Sequence, residues 1–277
     1  MSYDDARMVG RAPPPPEALR SDARRVYGLD PEGYEAGRPD YPERVYDVLT
    51  ARCGLTAGTA VVEIGPGTGL VTRQLLARGA RVVAVEPDRA LAAHLVRTTA
   101  SADLAVILST FEDAPLDDAH FDLAVAAMSF HWVDQDVGMA KLGRVVRPGG
   151  WVALWWTVFG DPGRADPFHD ATKDLVGDGS NADEPGRPQF ELDVAARQFD
   201  LVQRAGLVDV EAELLPWTVR MSSMELRALY ASMIAVRRRP QPEQQRVLDT
   251  LVSIADDEFG GVVERPFVTS LYTARRL

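Results

Sequence analysis

Between residues 43 and 158, short apolar runs alternate with segments whose apolar positions recur every three or four residues. The short runs, such as TAVVEIG at 59–65 and FDLAVAAMS at 121–129, are almost wholly apolar. This is typical of strands that are buried on both faces of a parallel sheet. The segments between them, such as LVTRQLLARG at 70–79, have helical spacing. The alternation predicts an α/β domain with a doubly wound, mostly parallel sheet.

The pattern changes after this unit. Residues 159–192 are polar and rich in Gly, Pro and Asp, and they are too long for a simple connection, so we expect an excursion over the ligand face. Further along the chain, the predicted elements are helix 194–207, strand 208–221, helices 223–236 and 242–259, and strand 265–276. We expect seven strands in all, an antiparallel edge hairpin, and helical lid insertions at about 159–192 and 221–258.

The first 30 residues form a separate segment in this interpretation. The proline run at 13–16 fits neither a helix nor a central strand, so we expect an arm at 1–30 that is flexible or contacts a partner chain in a homo-oligomer. Residues 31–277 are taken as one domain. The N-terminus lacks the apolar core of a signal peptide, and no run of 18 apolar residues occurs, so we expect a cytoplasmic protein with no membrane partner.

Composition narrows the classes of function. There are 41 acidic and 30 basic residues, a net charge of −11, which argues against general nucleic-acid binding. The single cysteine, Cys53, excludes a disulfide within the chain and a cysteine-based zinc site. Four scattered histidines have no ligand spacing, so we expect no metal site.

The stretch VVEIGPGTGL at 61–70 is the main candidate binding motif, with Gly65, Gly67 and Gly69 after a strand. A dinucleotide fingerprint would have glycine at Leu70, and a phosphate loop would have a lysine after the glycines. Glu86 ends the next strand, where an acid can accept both hydroxyls of a ribose. The anionic Glu63 favours a cationic ligand. S-adenosylmethionine, with a ribose, an adenine, a sulfonium and an amino-acid tail, fits these features.

At this point the chain resembles the class I S-adenosylmethionine-dependent methyltransferases, most closely the small-molecule branch that includes the trans-aconitate-like enzymes. The resemblance covers about 30–277 and implies the seven-stranded Rossmann-like fold of that family. The motifs that carry it, in order, are VVEIGPGTGLVTRQL, VVAVEPD, STFEDAPL, FDLAVAAMSFHWVD and VRPGGWVALWW, with YEAGRPDYP and PFVTSLYTARR outside them.

The resemblance implies a role for each glycine-loop residue. Gly65, Gly67 and Gly69 would let the loop pass under the methionine part of the cofactor. Glu63 would hold the loop or the ammonium group through water, and Glu86 would bind the ribose hydroxyls.

The resemblance also implies the remaining cofactor contacts. Pro87 would border the adenine, which Thr110 and Phe111 would meet. Because the family more often has glycine at Ser109 and aspartate at Thr110, the adenine contact would rest more on backbone. The residues that would face or close over the amino-acid tail are Ala127, Met128, Tyr34 and Arg38. Arg38 could pair with the carboxylate, although a surface salt bridge is its simpler interpretation.

Methyl transfer mainly requires alignment of the nucleophile, with a base if that nucleophile is a hydroxyl or an activated carbon. His131, after the fourth strand, is the candidate base; a pocket wall or a structural hydrogen bond is the alternative. Trp132 would form part of the wall of the cofactor site or of the substrate site. Four residues of the lid segments are candidates for an apolar substrate pocket, or else for core: Phe168, Trp217, Tyr230 and Met233. The basic cluster at 235–240 would be a solvated helix end or an anchor for an anionic substrate.

The sequence therefore predicts a methyltransferase that acts on oxygen or carbon of a small molecule, with natural-product biosynthesis as the expected setting. The alternative is a small-carboxylate O-methyltransferase of the trans-aconitate type. A non-catalytic binding module, a dehydrogenase and a nucleic-acid methyltransferase fit the motifs less well.

Overall fold

The computed structural model describes residues 27–161, 163–176, 197–198 and 200–277. The predicted arm at 1–30 lies outside the described residues except for its last four. Its contact with a partner chain therefore stays a prediction, as do the domain boundaries.

A seven-stranded sheet forms the centre of the molecule, with the strand order β3-β2-β1-β4-β5-β7-β6. All neighbouring strands pair in parallel except β7, which is antiparallel to both β5 and β6. This arrangement confirms the mostly parallel sheet and the antiparallel hairpin at its edge. The strands are β1 Ala60–Ile64, β2 Arg81–Glu86, β3 Leu104–Leu108, β4 Phe121–Ala127, β5 Val146–Val158, β6 Val208–Ser222 and β7 Val262–Arg275.

Helices connect the strands and cover both faces of the sheet. Their bounds are α1 Pro31–Gly37, α2 Glu43–Ala51, α3 Leu70–Ala77, α4 Arg89–Thr98, α5 Gln135–Val145, α6 Pro167–Val176, α7 Ser223–Ala231, α8 Ile234–Arg237 and α9 Gln241–Phe259. A 3₁₀ turn at Phe130–Trp132 follows β4, and a π-helical turn at Asp200–Arg204 precedes β6. Within the described part of the chain, none of these helices combines the length and the apolar character that crossing a membrane requires.

Two apolar cores explain why the strands lack polar alternation. Successive residues of β4 point to opposite faces, so Ala124 packs in one cluster and Val125 in the other. In β5 the same alternation sends Trp156 to the first cluster and Trp155 to the second. Both faces are therefore buried, and most positions of these strands need an apolar side chain.

A third apolar cluster joins α6, α7 and α9 to β7. Phe168 and Tyr230 are buried within it, and Trp217 and Met233 pack against it. Of the two roles expected for Phe168 and Tyr230, a substrate pocket or the core, their burial in this cluster agrees with the core. The lid helices have an apolar core of their own, which fixes their position over the end of the sheet.

The structure differs from the predicted elements at the 223–236 helix, which is broken into α7 and α8. The Ser232 hydroxyl donates to the carbonyl of Leu229 at 2.6 Å, and Met233 takes an extended backbone conformation. A serine hydroxyl competes in this way with the backbone bonds that would continue a helix. The periodicity of the apolar positions persists across the break, which is why it predicted one helix.

Two other elements differ from prediction. The apolar run WVALWWTVF predicts a strand from residue 151, but β5 begins at Val146, with a register irregularity against β4 and Gly149 at φ +79°. The segment around Tyr34, for which no helix was predicted, forms α1. Asp30 accepts a bond from the Gly33 N–H at 2.9 Å, and Pro31 takes the first helical position. Acid and proline in that order are a helix-start signal that the sequence contained.

Candidate functional site

A cavity of about 440 Å³ lies at the carboxyl ends of β1, β2 and β4. Open α/β sheets place their ligands at this edge. With one exception, the structure brings all the predicted cofactor residues together here. The lining includes Tyr34, Arg38, Glu63, Gly65, Gly67, Glu86, Pro87, Thr110, Phe111, Ala127, Met128 and Trp132, together with His131.

The exception, Gly69, lies behind the loop. A Cβ there would sit 2.4 Å from Leu95 Cδ1, and its φ is +93°. Gly69 therefore allows the loop to pack on α4. By contrast, a Cβ at Gly67 (φ +58°) would meet nothing within 4 Å, and one at Gly65 (φ +65°) would sit 2.6 Å from Ser129 Cβ. The three glycines thus serve different purposes, although all three have a backbone conformation that disfavours other residues.

The Glu86 carboxylate holds the glycine loop against the end of β2. It accepts from the Gly67 N–H at 3.1 Å and from the Asp88 N–H at 2.9 Å. Asp88 in turn caps α4 through the N–H groups of Ala90 and Leu91. An anionic acceptor is thereby fixed in the cavity wall, on the side where the sequence predicts a ribose.

Glu63 is the polar interruption of β1, and its side chain is buried at the base of the cavity. Burial raises the pKa of this carboxyl to about 7; the nearby Glu86 adds to the rise, while the Thr72 hydroxyl bond opposes it. Thr72 Oγ1 donates to Glu63 Oε2 at 2.6 Å. A buried carboxyl with a raised pKa in a cavity is a site that a cationic group would stabilise in its charged form.

The end of β4 is held in an unusual backbone conformation. Met128 has φ +52°, and its N–H donates to the Trp155 carbonyl at 2.9 Å. Ser129 Oγ donates to the Ile64 carbonyl at 2.5 Å. These bonds tie the end of β4 to β5 and β1, and they turn the chain into the 3₁₀ segment that carries His131 and Trp132.

The predicted adenine side of the cavity is a loop held by a buried lysine. Lys141 Nζ donates to the carbonyls of Glu112 at 3.1 Å and Ala114 at 2.5 Å, and lies 5.3 Å from the centre of the Phe111 ring. The Thr110 hydroxyl donates to Asp113 at 3.0 Å. The hydroxyl is thus engaged inside the loop, which agrees with a ligand contact made by backbone.

Helix α1 covers the opposite side of the cavity. The Arg38 guanidinium lies 5.0 Å from the Tyr34 ring centre and 4.8 Å from that of Phe159. It donates from one nitrogen to the Ser232 carbonyl at 3.4 Å. Its Nε is buried and has no hydrogen-bond partner within the described part of the chain. Arg38 therefore presents an incompletely satisfied donor at the cavity, as an anion-binding residue would.

His131 lines the cavity, but its hydrogen bond opposes the predicted role of general base. Trp156 Nε1 lies 3.1 Å from His131 Nδ1. An indole N–H can only donate, so Nδ1 accepts and the neutral imidazole carries its proton on Nε2. In this tautomer His131 offers a donor at Nε2. The structural hydrogen bond that we considered as the alternative is present.

Several cavity residues were missed from the sequence. They are Tyr27, Asp88, Leu91, Glu112, Ser129 and Ile234, among others. Arg238 also lines the cavity and belongs to the basic cluster at 235–240, for which the sequence left a solvated helix end and an anion anchor as alternatives. Asp88 and Ser129 directly follow predicted residues, so their position at strand ends was a usable signal. Ile234 lies on α8 and Arg238 directly follows that helix, and this segment reaches the cavity only through packing that no local pattern reveals. Among the residues that the structure describes, no group of three or more His, Cys, Asp or Glu could hold a metal.

A family model described as a methyltransferase domain matches residues 62–154. An uncharacterized methyltransferase of Mycobacterium tuberculosis is 38% identical over 141 residues, which are 50% of this chain and 54% of the relative. The malonyl-[acyl-carrier protein] O-methyltransferase of Pseudescherichia vulneris is 36% identical over 112 residues, which are 39% of this chain and 43% of the relative. The chain thus spans about half the length, or less, of these curated relatives.

Solved structures share the fold over a longer stretch. A putative type II methyltransferase from Anaeromyxobacter dehalogenans has a TM-score of 0.63 and 23% identity, and the match covers 86% of this chain and 97% of that one. Phosphoethanolamine N-methyltransferase 2 of Haemonchus contortus, solved in complex with S-adenosyl-L-methionine, has a TM-score of 0.54 and 15% identity, covering 90% and 57%. These likenesses show that the fold is shared.

Proposed function

We propose that this chain, a class I S-adenosylmethionine-dependent methyltransferase by domain and fold, transfers a methyl group from S-adenosylmethionine to a small molecule held under α1. The proposal rests on one observation: Gly67, Glu86 and the buried Glu63 line the same cavity, and the Gly67 N–H donates a 3.1 Å hydrogen bond to the Glu86 carboxylate. The cavity lies within the 300–1,000 Å³ range of ligand pockets.

The residues present fit this cofactor. A nearby cation would stabilise the charged form of the buried Glu63 carboxyl. A carboxylate would give a hydrogen-bond acceptor to the buried Arg38 Nε, which has no partner within the described part of the chain. The amino-acid end of the cofactor carries both an ammonium and a carboxylate. Gly67 leaves open space where a side chain would stand. Glu86 offers an acceptor for ribose hydroxyls, and Phe111 offers a backbone and a ring beside the adenine.

When bound, the cofactor supplies a methyl group that its sulfonium has activated for in-line displacement. The protein's own part is mainly alignment. We propose that Trp132 and Met128 wall the transfer region and that His131 orients an acceptor oxygen by donating from Nε2. Tyr34 on helix α1 and Arg38 directly after it cover the cavity and exclude water from it.

Binding of S-adenosylhomocysteine, followed by calorimetry, tests the proposal. We expect Glu86→Ala to raise the Kd by at least about tenfold, because it removes a charged hydrogen-bond acceptor. Glu264→Ala, which changes an exposed glutamate on β7 paired with Arg220, is the control and should leave the Kd unchanged. An equal effect of both substitutions, or no binding by the wild type, would contradict the proposal.

A carboxylate acceptor is the second candidate, and the arginines favour it. Arg38 and Arg238 both line the cavity. Arg238 forms no ion pair within the described part of the chain. Burial raises the pKa of the nearby Tyr27 hydroxyl, and the charges of Arg38, Arg237 and Arg238 oppose that rise. If Arg38 takes the cofactor carboxylate, Arg238 remains available for an anion on the acceptor. A relative named as a malonyl-[acyl-carrier protein] O-methyltransferase agrees with such chemistry.

Paired acceptors distinguish the two candidates. Small dicarboxylic acids and the corresponding amides are each offered as methyl acceptors, and the amount of S-adenosylhomocysteine formed with each acceptor is measured. A carboxylate enzyme should act on the acids alone, and Arg238→Ala should lower kcat/KM by about tenfold or more. Arg239→Ala is the matched control, since Arg239 pairs with Glu243 and does not line the cavity. Transfer to neutral acceptors, unaffected by Arg238→Ala, would favour the first candidate, for which natural-product biosynthesis remains the proposed setting.

A further inference from the structure

Helix α1 is attached to the rest of the molecule by a charged network that the proposed chemistry does not use. We call it the Glu35 network; it consists of Glu35, Arg73, His94 and Arg97. The same short helix and the residue after it supply Tyr34 and Arg38 to the cavity. The network therefore determines where these two side chains stand.

The Glu35 carboxylate divides its two oxygens between two helices of the domain. Oε1 pairs with the guanidinium of Arg73 on α3, and Oε2 lies 2.5 Å from His94 Nε2 on α4. Arg73 also donates to the Thr68 carbonyl at 2.9 Å. Thr68 belongs to the glycine loop and lines the cavity. One arginine thus connects the loop on one side of the cavity with the helix that covers the other.

Geometry assigns the proton on His94. Arg97 Nη2 lies 2.9 Å from His94 Nδ1, and a guanidinium can only donate, so Nδ1 accepts. The neutral imidazole then carries its proton on Nε2 and donates it to Glu35. The His94 side chain is only 3% exposed, so this bond is shielded from water. A charge-assisted bond in such a place is stronger than one on the surface.

The far side of α1 has no room to move inward. A Cβ at Gly37 would lie 2.2 Å from the Ala228 carbonyl oxygen of α7. Arg38 donates to the Ser232 carbonyl directly after α7. Helix α1 is therefore fixed between α7 on one side and α3 with α4 on the other, and the Glu35 network makes the connection on the second side.

We propose that Glu35 is a positioning residue that holds α1 closed over the cofactor, and that cofactor release requires the Glu35 contacts to loosen. This inference rests on the proposed function, because it takes the cavity to be the cofactor site. Glu35 touches no reacting atom; it acts through Tyr34 and Arg38.

The chain provides a matched control on the same helix. Glu32 also bears a carboxylate on α1, but among the residues that the structure describes it pairs only with Arg97, at 3.0 Å, and its side chain is 76% exposed. We expect Glu35→Ala to raise the dissociation rate of S-adenosylhomocysteine by at least about tenfold, with a smaller change in the association rate. Glu32→Ala should leave both rates within about twofold, as expected for an exposed pair.

Hydrogen exchange separates positioning from general destabilisation. In Glu35→Ala the amides of α1 and of residues 67–69 should exchange faster, while those of the central strands keep the wild-type rates. If Glu35→Ala does not fold, Glu35→Gln is used, which keeps the volume and removes the charge. An unchanged dissociation rate in a folded variant overturns the inference, whether or not the exchange of α1 changes.

The outcomes also distinguish this inference from the proposed function. If the wild type fails to bind S-adenosylhomocysteine, the proposed function fails, and so does the inference as a statement about that cofactor. Exchange in the ligand-free protein then decides whether Glu35 holds α1 at all. If the wild type binds and the Glu35 variants release the ligand at the wild-type rate, only the inference fails.

Discussion

Glu63 lowers the stability of the fold because its carboxyl is buried, yet the proposed site uses this carboxyl to bind the ammonium group of the cofactor. Its pKa of about 7 lies well above the ordinary glutamate value, mainly because of burial. The native state therefore binds more protons than the unfolded state between about pH 4.5 and 7, and the free energy of unfolding falls as pH rises through that window. A cation bound near Glu63 would stabilise the charged carboxylate and so restore part of the free energy of unfolding that is lost.

The first prediction follows from this linkage. The ammonium group of S-adenosylhomocysteine should lower the pKa of Glu63, so binding at pH 7 should release up to about half a proton. Calorimetry in buffers of different ionisation enthalpy measures that release. Glu63→Gln should abolish it with little change in volume. Equal release by wild type and Glu63→Gln would show that Glu63 does not face the cation.

The second prediction concerns the tautomer of His131. Nitrogen NMR of the imidazole in neutral solution should show the proton on Nε2, because Trp156 donates to Nδ1. Trp156→Phe removes the donor and should allow a mixture of tautomers. A wild-type imidazole that carries its proton on Nδ1 would restore the general base as the role for His131.

At this scale the sequence predicted much of the site. Gly65, Gly67 and Met128 follow strands and Glu86 ends one, and the ends of parallel strands converge at one edge of the sheet. The basic cluster at 235–240 was recognised from the sequence, but the position of Arg238 at the cavity depends on how the helices pack together. The role of His94 depends on the same packing, and His94 stands in no motif that local spacing would reveal.

The loop at 109–114 is the clearest case of an element held by one side chain. Lys141 on α5 satisfies two carbonyls of this loop, those of Glu112 and Ala114. The side chain is 5% exposed, so water could not easily replace it. The order of the predicted adenine side therefore depends on a residue that is distant in the sequence.

The third prediction tests that dependence. Lys141→Met should lower the free energy of unfolding by about 2–6 kcal/mol, because it leaves two carbonyls without a partner at about 1–3 kcal/mol each. Urea denaturation measures the change. Lys173→Met is the control, since Lys173 is the other lysine of the chain and forms an exposed pair with Asp170. Similar losses in both variants would be inconsistent with the role of Lys141.

The elements themselves were predicted unevenly. The strands of the parallel unit were found because two buried faces require continuous apolar runs. The boundary between α7 and α8 was missed because a single hydroxyl bond from Ser232 ends the helix while the apolar spacing continues. Helix α1 was missed because it is short and its apolar face is small, although Asp30 and Pro31 mark its start.

For the whole molecule, the two cores of the sheet and the third core of the lid helices leave the ligand cavity at the carboxyl ends of the strands. Ligand binding at such a place should stabilise the whole fold, because it links the glycine loop, the β4 end and α1. Mass action sets the size of the effect.

The fourth prediction is a thermal shift. S-adenosylhomocysteine at a hundredfold excess over its Kd should add about 2.7 kcal/mol of stability and raise the Tm by about 5 °C or more. NAD at the same concentration should give no shift, because Leu70 replaces the glycine of a dinucleotide loop. A shift with NAD alone would favour the dehydrogenase alternative.

The most direct test of the central claim is a crystal structure of the protein with S-adenosylhomocysteine. Our account predicts that the ribose hydroxyls lie within hydrogen-bond distance of the Glu86 carboxylate. The amino-acid end should lie over Gly65 and Gly67, with its carboxylate near Arg38. Ligand density elsewhere on the molecule, with Glu86 and the glycine loop uncontacted, would contradict the account.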